Sequence, residues 1–96
     1  MSIRVISVRL KEKDISFLKL LKGYEYKYDS LINKLINECD NVLTKVDDFA
    51  RETLQIFTMK LDEITLERLD TLAKYNNMTR SEVMRRLIKA KAEGLC

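Results

Sequence analysis

Arg9 and Lys60 hold the same place in two similar strings, VISVRL (residues 5–10) and IFTMKL (residues 56–61). Each string runs apolar, apolar, hydroxyl, apolar, cation, leucine. Alternate positions set Val5, Ser7 and Arg9 on one side of the first string. They set Ile56, Thr58 and Lys60 on one side of the second. Guanidinium and ammonium groups donate hydrogen bonds, hydroxyls donate or accept, and aliphatic groups seek apolar contact. Such a set suits a partner surface rich in acceptors and dotted with methyl groups.

Catalytic chemistry is poorly served. The chain has no histidine, so it lacks the commonest general base and zinc ligand, and Ser–His and Cys–His catalysis are excluded. Two glycines leave no room for a Gly-rich phosphate loop. Cys39 and Cys96 are far apart in sequence, which predicts neither a disulfide framework nor a metal cluster. Cys39 is expected to act as a small buried hydrophobe, and Cys96 as a loose terminal residue. A carboxylate pair remains as an enzymatic option, but the acids lie among lysines at ordinary helix-surface spacing. The expectation is a protein that is not an enzyme, with no cofactor, no metal and no small-molecule ligand.

The elements that carry the two strings come next. Sliding the chain on itself by 51 residues superimposes Ser7 on Thr58, Leu18 on Leu69 and Ser30 on Ser81, with no gap. Few residues are identical, but the apolar positions agree almost throughout, so the chain reads as an internal repeat. In each string the period-two alternation predicts a strand with one buried face: Ile6, Val8, Leu10 and Phe57, Met59, Leu61. The pattern then changes to helical spacing, with Ile15, Leu18, Leu21 and Leu66, Leu69, Leu72. Gly23 and the YNN run (75–77) offer left-handed stops.

A second helix follows in each copy. In TRSE (79–82), Thr79 and Glu82 predict a capping box, and Val83, Leu87 and Ile88 form the apolar face up to Gly94. In the first copy the helix starts near Tyr28–Ser30, carries Ile32, Leu35, Ile36 and Cys39, and is predicted to run on to about Val46. The connector DNVLTKVDDFARETL (40–54) reads as helix with a short break. Tyr24, Tyr26 and Tyr28 are expected to pack across the turn between the two helices. Arg85, Arg86, Lys89 and Lys91 read as solvated helix surface, and Met59, Met78 and Met84 as core or near-core fillers.

One strand–helix–helix unit cannot satisfy its own strand edges. Pairing the two strings antiparallel within one chain solves this. The predicted fold is mainly α with a two-stranded antiparallel β-ribbon: one domain, 1–96, of two copies, 4–46 and 55–94, joined by 47–54. The outer face of that ribbon holds Val5, Ser7, Arg9, Ile56, Thr58 and Lys60. A two-stranded ribbon fits the major groove of B-DNA, where Arg and Lys donate to guanine, hydroxyls serve either base edge and aliphatics meet thymine methyls. Net charge is only +3, so any such binding must come from local placement of cations.

This layout resembles the ribbon–helix–helix (MetJ/Arc) DNA-binding family over nearly the whole chain. The resemblance is strongest in FTMKLDEITLERLDTLAKYNNMTRSEVMRRLI (57–88) and weaker in ISVRLKEKDISFLKLLKGYEYKYDSLINKLI (6–36). Two fused copies are similar to the tandem AvtR-type regulators of filamentous archaeal viruses. The resemblance implies a single-chain pseudo-dimer that binds double-stranded DNA and regulates transcription. Its base readers would be Val5, Ser7, Arg9, Ile56, Thr58 and Lys60. Its phosphate clamps would be the starts of the second helices, Thr79, Arg80, Ser81 and Tyr28, Asp29, Ser30. Tyr28 and acidic Asp29 depart from the pattern of the second copy, and a carboxylate there repels phosphate.

The opening residues are strand-like and charged, and no apolar run approaches a membrane span. An intracellular, membrane-free setting is expected, with self-association of chains on DNA as an open option. Two rivals stand: an antitoxin-type autorepressor, disfavoured by the few residues after the last helix, and a protein-interaction module without DNA binding.

Overall fold

The computed structural model describes residues 2–23, 27–47 and 52–96. Strand β1 (Ile3–Leu10) leads into helix α1 (Glu12–Lys22) and helix α2 (Tyr28–Cys39), and a 3-10 helix (Asp40–Lys45) follows. Strand β2 (Gln55–Asp62), helix α3 (Glu63–Tyr75) and helix α4 (Arg80–Ala92) then repeat the strand–helix–helix order. The two strands form one antiparallel sheet.

Burial follows the alternation in the sequence. Ile6, Val8, Leu10, Met59 and Leu61 are buried and Phe57 is half-buried. A two-stranded ribbon is marginal alone, so covering this face with helices is what holds it. Leu18 of α1, Leu69 of α3, Ile32 and Leu35 of α2, and Leu87 and Ile88 of α4 complete the core. Each such side chain contributes about 1.5–3 kcal/mol when removed from water. Ile15, Leu21, Leu66 and Leu72 pack against its margin. Met59 and Met84 are buried and Met78 is half-buried, as core fillers should be.

The helix stops differ from expectation in one place. Asn77 is left-handed, at φ 55°, and Gly94 likewise, at φ 73°. In each the next amide reaches back to the last turn: Met78 N–H to the Ala73 carbonyl (2.8 Å) and Leu95 N–H to that of Ala90 (3.0 Å). That is the usual left-handed helix stop. Gly23, however, stays right-handed, at φ −57° and ψ −23°, and α1 ends without such a turn.

Two further corrections concern the first copy. Helix α2 does not reach Val46. It ends at Cys39, and the tighter 3-10 helix carries the chain on, burying Leu43 and Val46. Its carbonyls at Leu43 and Val46 are held by Arg86 of α4, and Lys89 Nζ donates to the Asp47 carbonyl at 2.7 Å. Lys91 Nζ meets Glu38 at 2.8 Å. Arg86, Lys89 and Lys91 are therefore half-buried clamps on the end of α2 and the 3-10 segment after it, not solvated surface.

Cys39 and Cys96 form a disulfide, against expectation. Distance in sequence is not distance in space. The turn at Gly94 folds the last residues back onto the end of α2, leaving the two Cα atoms 5.3 Å apart. Tyr24 and Tyr26 lie outside the described residues. Tyr28 does pack across elements, its ring edge-on to Phe57 with centroids 5.5 Å apart and Lys22 Nζ 5.2 Å from its centre. Burial raises its hydroxyl above the usual tyrosine value.

Candidate nucleic-acid interface

The register fixes what the outer face presents. Ser7 pairs with Thr58, Val5 with Lys60, and Arg9 with Ile56. Ser7 Oγ and Thr58 Oγ1 lie 3.2 Å apart at the middle of the ribbon. To one side stands a guanidinium beside an isoleucine, to the other an ammonium beside a valine. Val5 is 63% exposed and Ile56 68%. Water is a poor neighbour for both, while a groove lined by thymine methyls would suit them.

Helix α4 meets this ribbon at its start. The Arg9 amide donates to Ser81 Oγ at 2.9 Å, and Arg85 Nη1 donates to the Arg9 carbonyl at 2.8 Å. The strand edge beneath the Arg9 side chain is thus fastened from α4 at two points. Arg85 is therefore a half-buried fastener and not solvated surface, and its place four after Ser81 puts both on one helix face.

Thr79 caps α4: its hydroxyl accepts from the Glu82 amide at 3.1 Å. The reciprocal half of the capping box is replaced, because the Glu82 carboxylate accepts from Arg86 Nη2 at 3.1 Å. Arg80 is held bidentately by Asp70 of α3, at 2.8 and 3.0 Å. Its guanidinium locks the start of α4 to α3. With Arg80 engaged by Asp70, this helix start is left with its backbone amides and the hydroxyls of Thr79 and Ser81.

The matching helix start in the first copy is built otherwise. Lys27 precedes α2 and supplies no side-chain cap. Asp29 Oδ1 accepts from the Asp62 amide at 2.7 Å, tying α2 to the end of β2. Asp29 thus has a structural partner, and Ser30 is exposed beside it. Lys22, Lys27 and Lys60 line one open hollow there with Val5, Thr58 and Tyr28.

Among the described residues no cluster of three or more His, Cys, Asp or Glu could hold a metal ion. No described helix is long and apolar enough to cross a membrane.

Residues 55–93 match the family described as "Ribbon-helix-helix protein, copG family", whose members are typically DNA-binding transcription regulators. The chain belongs to the same family as "Uncharacterized protein 29" of Sulfolobus islandicus filamentous virus (isolate Iceland/Hveragerdi). The two are 41% identical over 96 residues, spanning the whole of both chains. No solved structure matches it.

Proposed function

We propose that this chain is a sequence-specific regulator of transcription that lays its β-ribbon in the major groove of double-stranded DNA. In this reading it is a tandem ribbon–helix–helix protein, a single-chain pseudo-dimer of the AvtR type. Copies 4–46 and 55–94 are joined by 47–54. It acts without a cofactor and inside the cell or infected host.

The observation that carries the reading is the outer face of the ribbon. Arg9 and Lys60, the Ser7–Thr58 hydroxyl pair and the exposed Val5 and Ile56 share that face. They offer donors for guanine, hydroxyls for either base edge and aliphatics for thymine methyls. Beside it, the capped start of α4 offers amides to a phosphate through Thr79 and Ser81. In the first copy Asp29 serves the Asp62 amide, so the clamp at Tyr28, Asp29 and Ser30 is the weaker one. The two ends of the ribbon differ, so one chain reads an asymmetric half-site. Two chains side by side read a longer one.

Gel shifts and footprints on the promoter region of the protein's own gene, set against random duplex, test this. Affinity should fall with rising salt as phosphate contacts are screened, and one site should stand above random DNA. A protein that binds no duplex at low salt would instead be an interaction module.

A further inference from the structure

The contact between α2 and α3 and the contact between α1 and α4 occupy equivalent places under the 51-residue shift. Their chemistry is opposite. Between α2 and α3, Asn33 Nδ2 donates to Thr65 Oγ1 at 2.6 Å. Arg68 Nη1 donates to Asn33 Oδ1 at 2.6 Å, and Arg68 Nη2 to Asn37 Oδ1 at 2.5 Å. Thr65 is buried, and Asn33 and Arg68 are half-buried.

The shifted positions are Met84 for Asn33, Ile88 for Asn37, Asp14 for Thr65 and Phe17 for Arg68. Met84 and Ile88 are buried, and Phe17 packs against the core margin. Phe17 and Ile88 line one hollow with Asp14. The Asp14 carboxylate is turned to its own helix start, where it accepts from the Lys11 amide. One contact therefore joins amides to a guanidinium. The other sets a ring at the margin of aliphatic side chains.

We infer that the Arg68–Asn33–Asn37–Thr65 cluster is a partner-selecting surface, which makes each copy pair with the other and refuse a second copy of itself. If the first copy paired with its like, Asn33 would meet Asp14 in place of Thr65, both amides would face Phe17 in place of Arg68, and their amide oxygens would lose the guanidinium. If the second copy paired with its like, Arg68 would face Met84 and Ile88, and Thr65 would lose the Asn33 amide. Thr65 is buried and Asn33 and Arg68 are half-buried, so each is costly to leave without its partner, whereas exposed Asn37 loses little. Symmetry repeats each error twice in such a pair. The outer face of the ribbon cannot make this choice, since serine facing serine or threonine facing threonine leaves it equivalent. Specificity here comes from the penalty on wrong partners as much as from the reward for the right one. The inference rests on the two-copy reading and not on DNA binding.

The test uses the full-length protein with a protease site placed between Asp47 and Gln55. The folded protein is cleaved, its disulfide is reduced, and both pieces are unfolded together and refolded. Native mass spectrometry then counts mixed and like pairs. The wild type should return almost wholly as mixed pairs. The triple variant Asn33→Met/Asn37→Ile/Arg68→Phe, which makes the two contacts alike, should approach the random proportion. A random proportion in the wild type, or mixed pairs alone in the triple variant, would overturn the inference. The intact chain gives an independent readout. Arg68→Phe alone, and Asn33→Met/Asn37→Ile alone, should each lower the unfolding midpoint, and the triple variant should recover most of the loss. Simple addition of the losses overturns the inference even where the pieces fail to refold. Affinity of the intact wild type for DNA is a separate measurement, so failure of the DNA reading would be seen on its own.

Discussion

The Arg9 amide and the Ser81 hydroxyl meet at 2.9 Å, joining the first strand to the start of the last helix across 72 residues of chain. A base-reading candidate and a phosphate-binding candidate are thereby one mechanical unit. Ser81→Ala should cost about 0.5–1.5 kcal/mol in stability through the lost hydrogen bond. It should also blunt preference at the base that Arg9 is proposed to read, although the cation stays in place. Denaturant unfolding and affinities for specific and random duplexes would show both effects. Wild-type discrimination in the variant would mean that Ser81 does not position Arg9.

Arg9→Ala and Lys60→Ala should each cost roughly 1–3 kcal/mol on the specific site and relax one position of it. Folding should hardly change, because both side chains are exposed. The measurement is the ratio of specific to random affinity at one salt concentration. If both variants keep the wild-type ratio, the ribbon does not read bases through these groups.

Thr79→Ala removes the α4 cap and should cost about 1 kcal/mol in stability. Because the same helix start is proposed to hold a phosphate, affinity should fall evenly for all sequences. A loss confined to one base position would contradict that role.

Cys96→Ser opens the link to Cys39, which closes a loop of 57 residues. By chain entropy alone this should lower stability by about 4 kcal/mol at 25 °C. Urea unfolding of the wild type, with and without reductant, should reproduce the difference. A wild type indifferent to reductant would show that the link adds nothing to stability.

Burial lifts the Asp14 carboxyl above the ordinary carboxylate value, with Lys11 opposing. The folded protein therefore holds this proton more tightly than the unfolded chain does. Its contribution is fully present below the ordinary value, is lost as pH rises through the raised one, and is flat above it. Asp14→Asn removes that dependence and can still accept from the Lys11 amide, now 3.3 Å from Asp14 Oδ2. Unfolding midpoints from about pH 3 to pH 7 should show the variant gaining on the wild type. Loss of ground with rising pH would count against it. Glu38, lowered by its hydrogen bond from Lys91, titrates with the opposite sign, so only a comparison of these two proteins isolates Asp14.

Strands were legible because a two-residue period leaves one face apolar: Ile6, Val8 and Leu10 are buried where the alternation places them. The helix starts at Thr79 and the stop at Asn77 were legible because caps and left-handed turns are local. What escaped was long-range. Nothing near Cys39 announces Cys96, nothing near Arg80 announces Asp70 as its anchor, and Arg86 gives no local sign of the carbonyls it holds. Those links depend on how α4 and the residues after it lie against α3, α2 and the 3-10 helix, and a periodicity in one helix carries no record of it. The candidate site was legible as a face, from the strand alternation, but not in its fastening by Ser81 and Arg85.

Both strands of the ribbon belong to one chain. A regulator assembled from separate subunits must first find its partner, so its active form grows with the square of a low concentration. Here one folded chain holds the whole ribbon. On the proposed function, occupancy of a site read by one chain rises in direct proportion to the amount of protein while the site is far from full, with no threshold to cross. Dilution after cell division or early in expression would empty the site gradually rather than dismantle the reader.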